Sequence, residues 1–185
     1  QERQLREVEA QIDHELALVP NLPHASVPVG DAKANQIVRI IGAKPSFSFT
    51  PKDHLALSAE RGLIDFERAA KMSGSHFPLL VGAGARLERA LINWMLDVQT
   101  KEHGYTEVSP PVLVNRASMF ATGQLPKFEE DMYRLKDDDL FLVPTAEVPL
   151  TNFHRDEMLE ESSLPLRYTA YTPCFRREAG SYGKE

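Results

Sequence analysis

Apolar positions step by three or four along the first nineteen residues. Leu5, Val8, Ile12, Leu16 and Val19 recur with charged residues between them. That spacing predicts an amphipathic helix with a narrow seam of the coiled-coil kind. Pro20 and Pro23 stop it. A seam on one short helix is not stable alone, so it packs on the body or pairs with another helix as half of a hairpin. From 20 to 51 the pattern dissolves into prolines and small residues, broken by one β-like run at 37–41. This reads as a linker leading into an edge strand. Helical periodicity returns at 54–61 and 65–72, separated at Gly62, with Asp65 as N-cap of the second helix. Residues 77–81 read as a short strand. Gly82-Ala83-Gly84-Ala85-Arg86-Leu87 has the first two glycines of a dinucleotide loop but Leu87 at the sixth position and no Walker lysine, so it reads as a strand-to-helix turn.

The clearest helix is predicted over 85–103. Leu87, Leu91, Trp94 and Val98 form one stripe with Ala90 and Met95 beside it, read as core-facing. Lys101 and His103 suit the last turn, and Gly104 the stop. Residues 105–114 are strand-like but carry Pro110 and Pro111, which places them at a sheet edge or an interface. A brief helix at 118–122 and a loop at 123–128 follow. Residues 131–143 read as a hairpin around Asp137, Asp138 and Asp139. Those aspartates could form a metal cluster, but consecutive side chains diverge in a turn, which favours solvated residues. In 144–151 a short helix begins near Ala146. Residues 156–162 are acidic surface, and 165–175 are β-like again.

That last run ends in Cys174-Phe175-Arg176-Arg177-Glu178. In a strand Arg176 and Glu178 share a face and Arg177 points away. An arginine and a glutamate on one face can hold an anion and a donor-bearing ring. Without other information, a salt-bridged surface strand is the commoner case. Cys174 reads as a small buried residue, since no histidine is near it in sequence to activate it.

Composition narrows the classes. The 185 residues are 42% apolar and 26% charged with a net charge of −6, an ordinary globular balance that does not suggest a general nucleic-acid binder. One cysteine permits no internal disulfide, and the six histidines never fall at the close spacing of a helical metal pair. No protein metal site is expected from Cys or His. The N-terminus lacks an apolar signal core and no run is long enough to span a membrane, so a reducing, cytoplasmic setting is the expectation.

The motifs Phe175-Arg176-Arg177-Glu178, TPCFRREAGSYGKE, PTAEVPLT, TGQLPKF, GLIDFERAAKMSGSHFPLLVGAGARLERAL and PNLPHASVPVG occur in that reverse order along the chain. Together they resemble the seryl-tRNA synthetases of the bacterial or organellar type, which are class II aminoacyl-tRNA synthetases. The resemblance covers essentially the whole chain. It implies an α+β fold: part of a class II antiparallel sheet flanked by helices, preceded by the end of a coiled-coil arm. Residues 1–22 would be the C-terminal end of a tRNA-binding helical arm. Residues 23–185 would be the N-terminal part of the catalytic domain, with motif 1 at about 85–114 and motif 2 begun at about 168–185. Most of the arm, and the C-terminal part with motif 3, would be absent.

The implied activity is ATP-dependent attachment of L-serine to tRNA(Ser) through a seryl-adenylate, the 185 residues alone being inactive. Arg176 would be catalytic, bridging the α-phosphate and the serine carboxylate. Arg176, Arg177 and Glu178 would bind ATP, and Arg177 departs from the small residue expected there. Thr145, Ala146, Glu147 and Arg176 would bind serine; Thr145 equally suits a helix cap. Ser181, Tyr182, Gly183 and Lys184 would form the motif 2 loop toward ATP or the tRNA acceptor end. Gly104 and Pro111 would belong to a homodimer interface. Mg2+ would accompany ATP. Two other readings stay open: a related ligase that charges a carrier protein with an amino acid, and a non-catalytic dimerising paralogue.

Overall fold

The structure is a computed structural model that describes residues 2–75 and 77–177. Helix α1 (Glu2–Leu18) forms as its periodicity predicts, with no residue buried. Leu5, Val8, Ile12 and Leu16 of its seam are exposed, so α1 does not pack on the described body. Arg3 and Glu7, one turn apart, pair at 2.9 Å on its surface.

The expected edge strand at 37–41 is absent. Val38 is 94% exposed and its apolar neighbours nearly as bare. β-branched residues make a strand only when another strand pairs with them, and none of the described residues does. Order resumes at α2 (His54–Arg61), capped by Asp53, whose carboxylate accepts from the Ala56 N–H at 2.7 Å. Gly62 ends it in the left-handed region at φ +60°. Asp65 caps α3 (Phe66–Ser73) as predicted, accepting from the Arg68 N–H at 2.9 Å. That bond, and the ion pair with the Arg68 guanidinium, hold the Asp65 carboxyl below its ordinary value.

Residues 77–81 contribute one bridge, Ile64 to Leu80, in place of the expected strand. The Asp65 N–H donates to the Leu79 carbonyl at 2.8 Å and the Val81 N–H to the Leu63 carbonyl at 2.9 Å. The chain then turns at Gly82 (φ +54°) into α4 (Ala83–Asp97), which runs on as a π-helical turn over Val98–Glu102 and stops at Gly104 (φ +70°). The apolar stripe on α4 is not core: Trp94 is 63% exposed, and Leu87, Leu91 and Met95 are open too. The periodicity is real, but no described element covers that face.

Two small pairings organise the rest. Strand β1 (Thr106–Glu107) runs parallel to β4 (Tyr168–Thr169), Thr106 opposite Tyr168. Strand β2 (Leu113–Asn115) runs antiparallel to β3 (Leu140–Leu142), Val114 opposite Phe141. Pro110 and Pro111 fall between β1 and β2, where no ladder bond is needed, in keeping with their expected exclusion from a regular strand. Helices α5 (Arg116–Ala121) and α6 (Glu147–Thr151) close over the second pair. The core is the cluster of Val114, Met119, Leu125, Met132, Phe141, Val143 and Val148. Asn115 ends β2 and caps α5, accepting from the Ser118 N–H at 2.9 Å. The fold is thus α+β, as expected; among the described residues its strands form one parallel and one antiparallel pair.

Gly84 is buried in the first turn of α4, and a Cβ there would lie 2.3 Å from the Leu63 carbonyl oxygen. That oxygen is already fixed by Val81. In an open helix, Gly→Ala stabilises by about 1 kcal/mol; here the clash should reverse the sign. Gly84→Ala is expected to cost about 1–3 kcal/mol, the scale of overpacking, read as a lower urea midpoint. An unchanged or raised midpoint contradicts this close approach.

Candidate functional site

The site is built on the two ends of the hairpin. Its arms are tied by the Leu135 N–H to the Leu140 carbonyl and the Leu142 N–H to the Tyr133 carbonyl, each at 2.9 Å, as the sequence predicts. Beyond the second arm, Val143 and Pro144 are buried, and the chain turns through Thr145 and Ala146 into α6. The Glu147 N–H donates to Thr145 Oγ1 at 3.3 Å and the Val148 N–H to the Thr145 carbonyl at 3.3 Å. Thr145 thus closes a local turn ahead of α6, while the N-cap position itself is Ala146, which has no side-chain cap. Glu147 stands exposed at the first turn of α6.

Residues 170–177 form no regular strand, yet their bonds alternate as a strand's would. The Phe175 N–H donates to the Val143 carbonyl at 2.9 Å and the Arg177 N–H to the Asp131 carbonyl at 2.8 Å. Amides two residues apart thus meet carbonyls at the two ends of the hairpin, one on each arm. Between them, Arg176 Nε donates to the Pro144 carbonyl at 3.2 Å. The guanidinium is thereby laid against the loop that carries Thr145, Ala146 and Glu147, with one of its five N–H donors used on the described residues. Arg177 is exposed. Glu178, Ser181, Tyr182, Gly183 and Lys184 lie outside the described residues. Cys174 is exposed, not buried: its sulfur meets the hydroxyl and carbonyl of Thr172, two residues before it, at 3.8 and 3.7 Å. Gly104 and Pro111 sit on the exposed path from α4 to β2, away from this loop in the chain.

The largest element that the sequence reading missed is ionic. Arg116, on α5, donates from Nη2 to Glu129 at 2.9 Å and from Nε to Asp139 at 3.1 Å. Arg134, on the first hairpin arm, meets Asp139 at 3.1 Å and Glu129 at 3.8 Å. Both guanidinium carbons lie over the buried Phe141 ring, at 5.1 and 5.9 Å. Asp139 is therefore a salt-bridge acceptor rather than a merely solvated turn residue. Four residues on separate elements leave no spacing signature. A second chain of contacts joins the end of α6 to β4: His154 lies 2.9 Å from the Tyr168 hydroxyl and 2.7 Å from Glu157.

Residues 127–184 match the tRNA synthetase class II core domain (G, H, P, S and T). The chain is 60% identical over 183 residues to the serine--tRNA ligase of Trichlorobacter lovleyi, covering 98% of this chain and 43% of that protein. It is 54% identical over 185 residues to that of Bacillus cereus. The chain is related, over essentially its whole length, to the serine--tRNA ligases. Its fold superimposes on seryl-tRNA synthetase from Pyrococcus horikoshii complexed with ATP at a TM-score of 0.85 and 38% identity, covering all of this chain and 46% of that one. It also matches the cytoplasmic serine-tRNA ligase of Naegleria fowleri in complex with AMP, at a TM-score of 0.82 and 29% identity. The chain spans about 43% of the length of the curated relatives that it matches.

The hydrogen bond from Arg116 holds the Glu129 carboxyl below its ordinary value of 4.5, against the opposing effect of partial burial. A carboxyl lowered on folding adds stability that is fully present above its unfolded pKa and lost as pH falls through the folded one. Glu129→Gln should therefore lower stability near neutral pH, by no more than about 1 kcal/mol at so exposed a pair. The difference should vanish as pH drops below 4.5. Urea midpoints of both proteins across that range check it; a difference that persists in acid contradicts the ionic origin.

Proposed function

We propose that the protein of which this chain forms part activates L-serine with ATP and transfers it to tRNA(Ser). The observation that carries this reading is the contact of Arg176 with the loop bearing Thr145–Glu147, in a chain related throughout to serine--tRNA ligases. In the first step a serine carboxylate oxygen attacks the α-phosphorus of ATP. The new P–O bond forms as the bond to pyrophosphate breaks, leaving seryl-adenylate. Two anions must approach, and a guanidinium that bridges them stabilises charge as it moves. Arg176 has that role. In the second step a terminal ribose hydroxyl of the tRNA attacks the seryl carbonyl and AMP leaves.

Glu147 faces the α-ammonium of serine, and Thr145 and Ala146 line the small polar pocket with it. A site that hydrogen-bonds the substrate hydroxyl rejects alanine, because the missing hydroxyl leaves polar groups unpaired. Glu178 takes the adenine amino group, Arg177 lines the ATP site from its outer side, and Ser181, Tyr182, Gly183 and Lys184 meet ATP or the acceptor end. Mg2+ enters with the ATP phosphates. Among the described residues no group of three or more His, Cys, Asp or Glu is placed to hold a metal.

Residues 1–22 end a coiled-coil tRNA-binding arm, and residues 23–185 begin the catalytic domain, with motif 1 at about 85–114 and motif 2 from about 168. The exposed seam of α1 supports the first assignment, since such a seam needs a second helix. The bare stripe of α4 and the exposed Gly104–Pro111 path support a homodimer interface there. The setting is the cytoplasm. No helix among the described residues is long and apolar enough to cross a membrane.

The full-length protein should catalyse serine-dependent ATP–pyrophosphate exchange; exchange with another amino acid, and none with serine, would sink the assignment. The 185 residues alone should show almost none. In the full-length protein, Arg176→Ala should lose at least about 3 kcal/mol of transition-state stabilisation, more than about a hundredfold in kcat/KM. A change of only a few-fold removes Arg176 from the catalytic set.

A further inference from the structure

Arg176 is only as well placed as the backbone on either side of it. On one side Phe175 is tied to Val143, which is buried beside β3. On the other, Arg177 is tied to the carbonyl of Asp131, the last residue of the short 3-10 turn Glu129–Asp131. That turn has no side-chain cap and buries none of its residues. Met132, the next residue, is buried in the core cluster and anchors the end of the turn; its start is held from the side by Glu129, partly exposed under the Arg116 fork and also near Arg134. Asp139, at the hairpin tip, completes the network from the opposite end.

We propose that the Arg116–Glu129–Asp139–Arg134 cluster is a positioning device: it fixes the 129–131 turn so that the Asp131 carbonyl holds the Arg177 amide, and thereby sets the place of Arg176. This rests on the reading of Arg176 as the phosphate-bridging residue. The cluster touches no substrate; it acts through the backbone. Its geometry suits that task. Arg116 is a planar fork gripping two carboxylates from different segments, which fixes orientation as a single ammonium would not. Phe141 beneath it is completely buried, so both guanidinium groups rest on a side chain packed in the core. The cluster therefore couples α5, the 129–131 turn and both ends of the hairpin into one unit, and the catalytic strand segment hangs from two points of it.

Amide hydrogen exchange, resolved by residue, tests this in the 185-residue chain. Glu129→Ala should speed exchange at the Arg177 amide about tenfold, while Phe175, held by Val143, stays within about twofold of the unaltered chain. Glu129→Gln, which still accepts from Arg116, should recover most of the protection, and Arg116→Lys, a point charge without the fork, should recover little. Equal acceleration at both amides, or none at Arg177, overturns the proposal. Should Glu129→Ala fail to fold, Arg116→Lys gives the same comparison between the two amides.

In the full-length protein, Glu129→Ala should lower kcat for serine-dependent exchange about tenfold with KM for serine within about twofold, the pattern of a misplaced transition-state group. An unchanged kcat, or a loss confined to KM, overturns the link to catalysis. The two readings fail separately. Absence of serine-dependent exchange in the unaltered full-length protein counts against the proposed function, whereas an unmoved Arg177 amide counts against the positioning role.

Discussion

Phe141 is the fixed point of the described body. It is fully buried, pairs through β3 with Val114 of β2, and lies beneath two guanidinium groups. Burying such a ring is worth several kcal/mol, and everything that forms the candidate site departs from its neighbourhood. Val143 and Pro144 follow it within three residues, Thr145 to Glu147 follow those, and the segment at 175–177 is hydrogen-bonded across them. The chemistry proposed for Arg176 needs a guanidinium placed to within a fraction of an ångström. A short extended segment cannot supply that by itself; a packed hairpin can.

The same constraint explains what stays open. The core cluster lies within 114–148, and the apolar faces outside that range, on α1, at 37–41 and on α4, are bare. A chain that spans about 43% of its relatives' length holds one well-packed unit and several faces whose partners are not among the described residues. Apolar periodicity records that a face is made to be covered, not which residues cover it. The stripe of Leu87, Leu91 and Trp94 was legible as a stripe, and its assignment to the core of this chain was the error.

Local chemistry was read more reliably than long-range placement. Asp65 as a cap, Gly62 and Gly104 as stops, the hairpin over 131–143 and the short helix near Ala146 all follow from a few adjacent residues, and the sequence carries them. The run at 37–41 has strand-forming residues but no partner, and pairing is a property of two segments. Arg116, Glu129, Arg134 and Asp139 come from four separate places, so no spacing announces them. Alternation placed Arg176 and Glu178 on one face, a pairing whose second member lies outside the described residues. Cys174 was misjudged because burial depends on what lies opposite, and sequence neighbours do not tell.

The central claim is that Arg176 and the loop at 144–147 form the two walls of one serine-activating site. The most direct measurement is a crystal structure of the full-length protein with a non-hydrolysable seryl-adenylate analogue. The account predicts the analogue between these walls, with Arg176 on the phosphate mimic and Glu147 on the α-ammonium. An analogue bound elsewhere, or one that leaves either residue beyond hydrogen-bond reach, would contradict it.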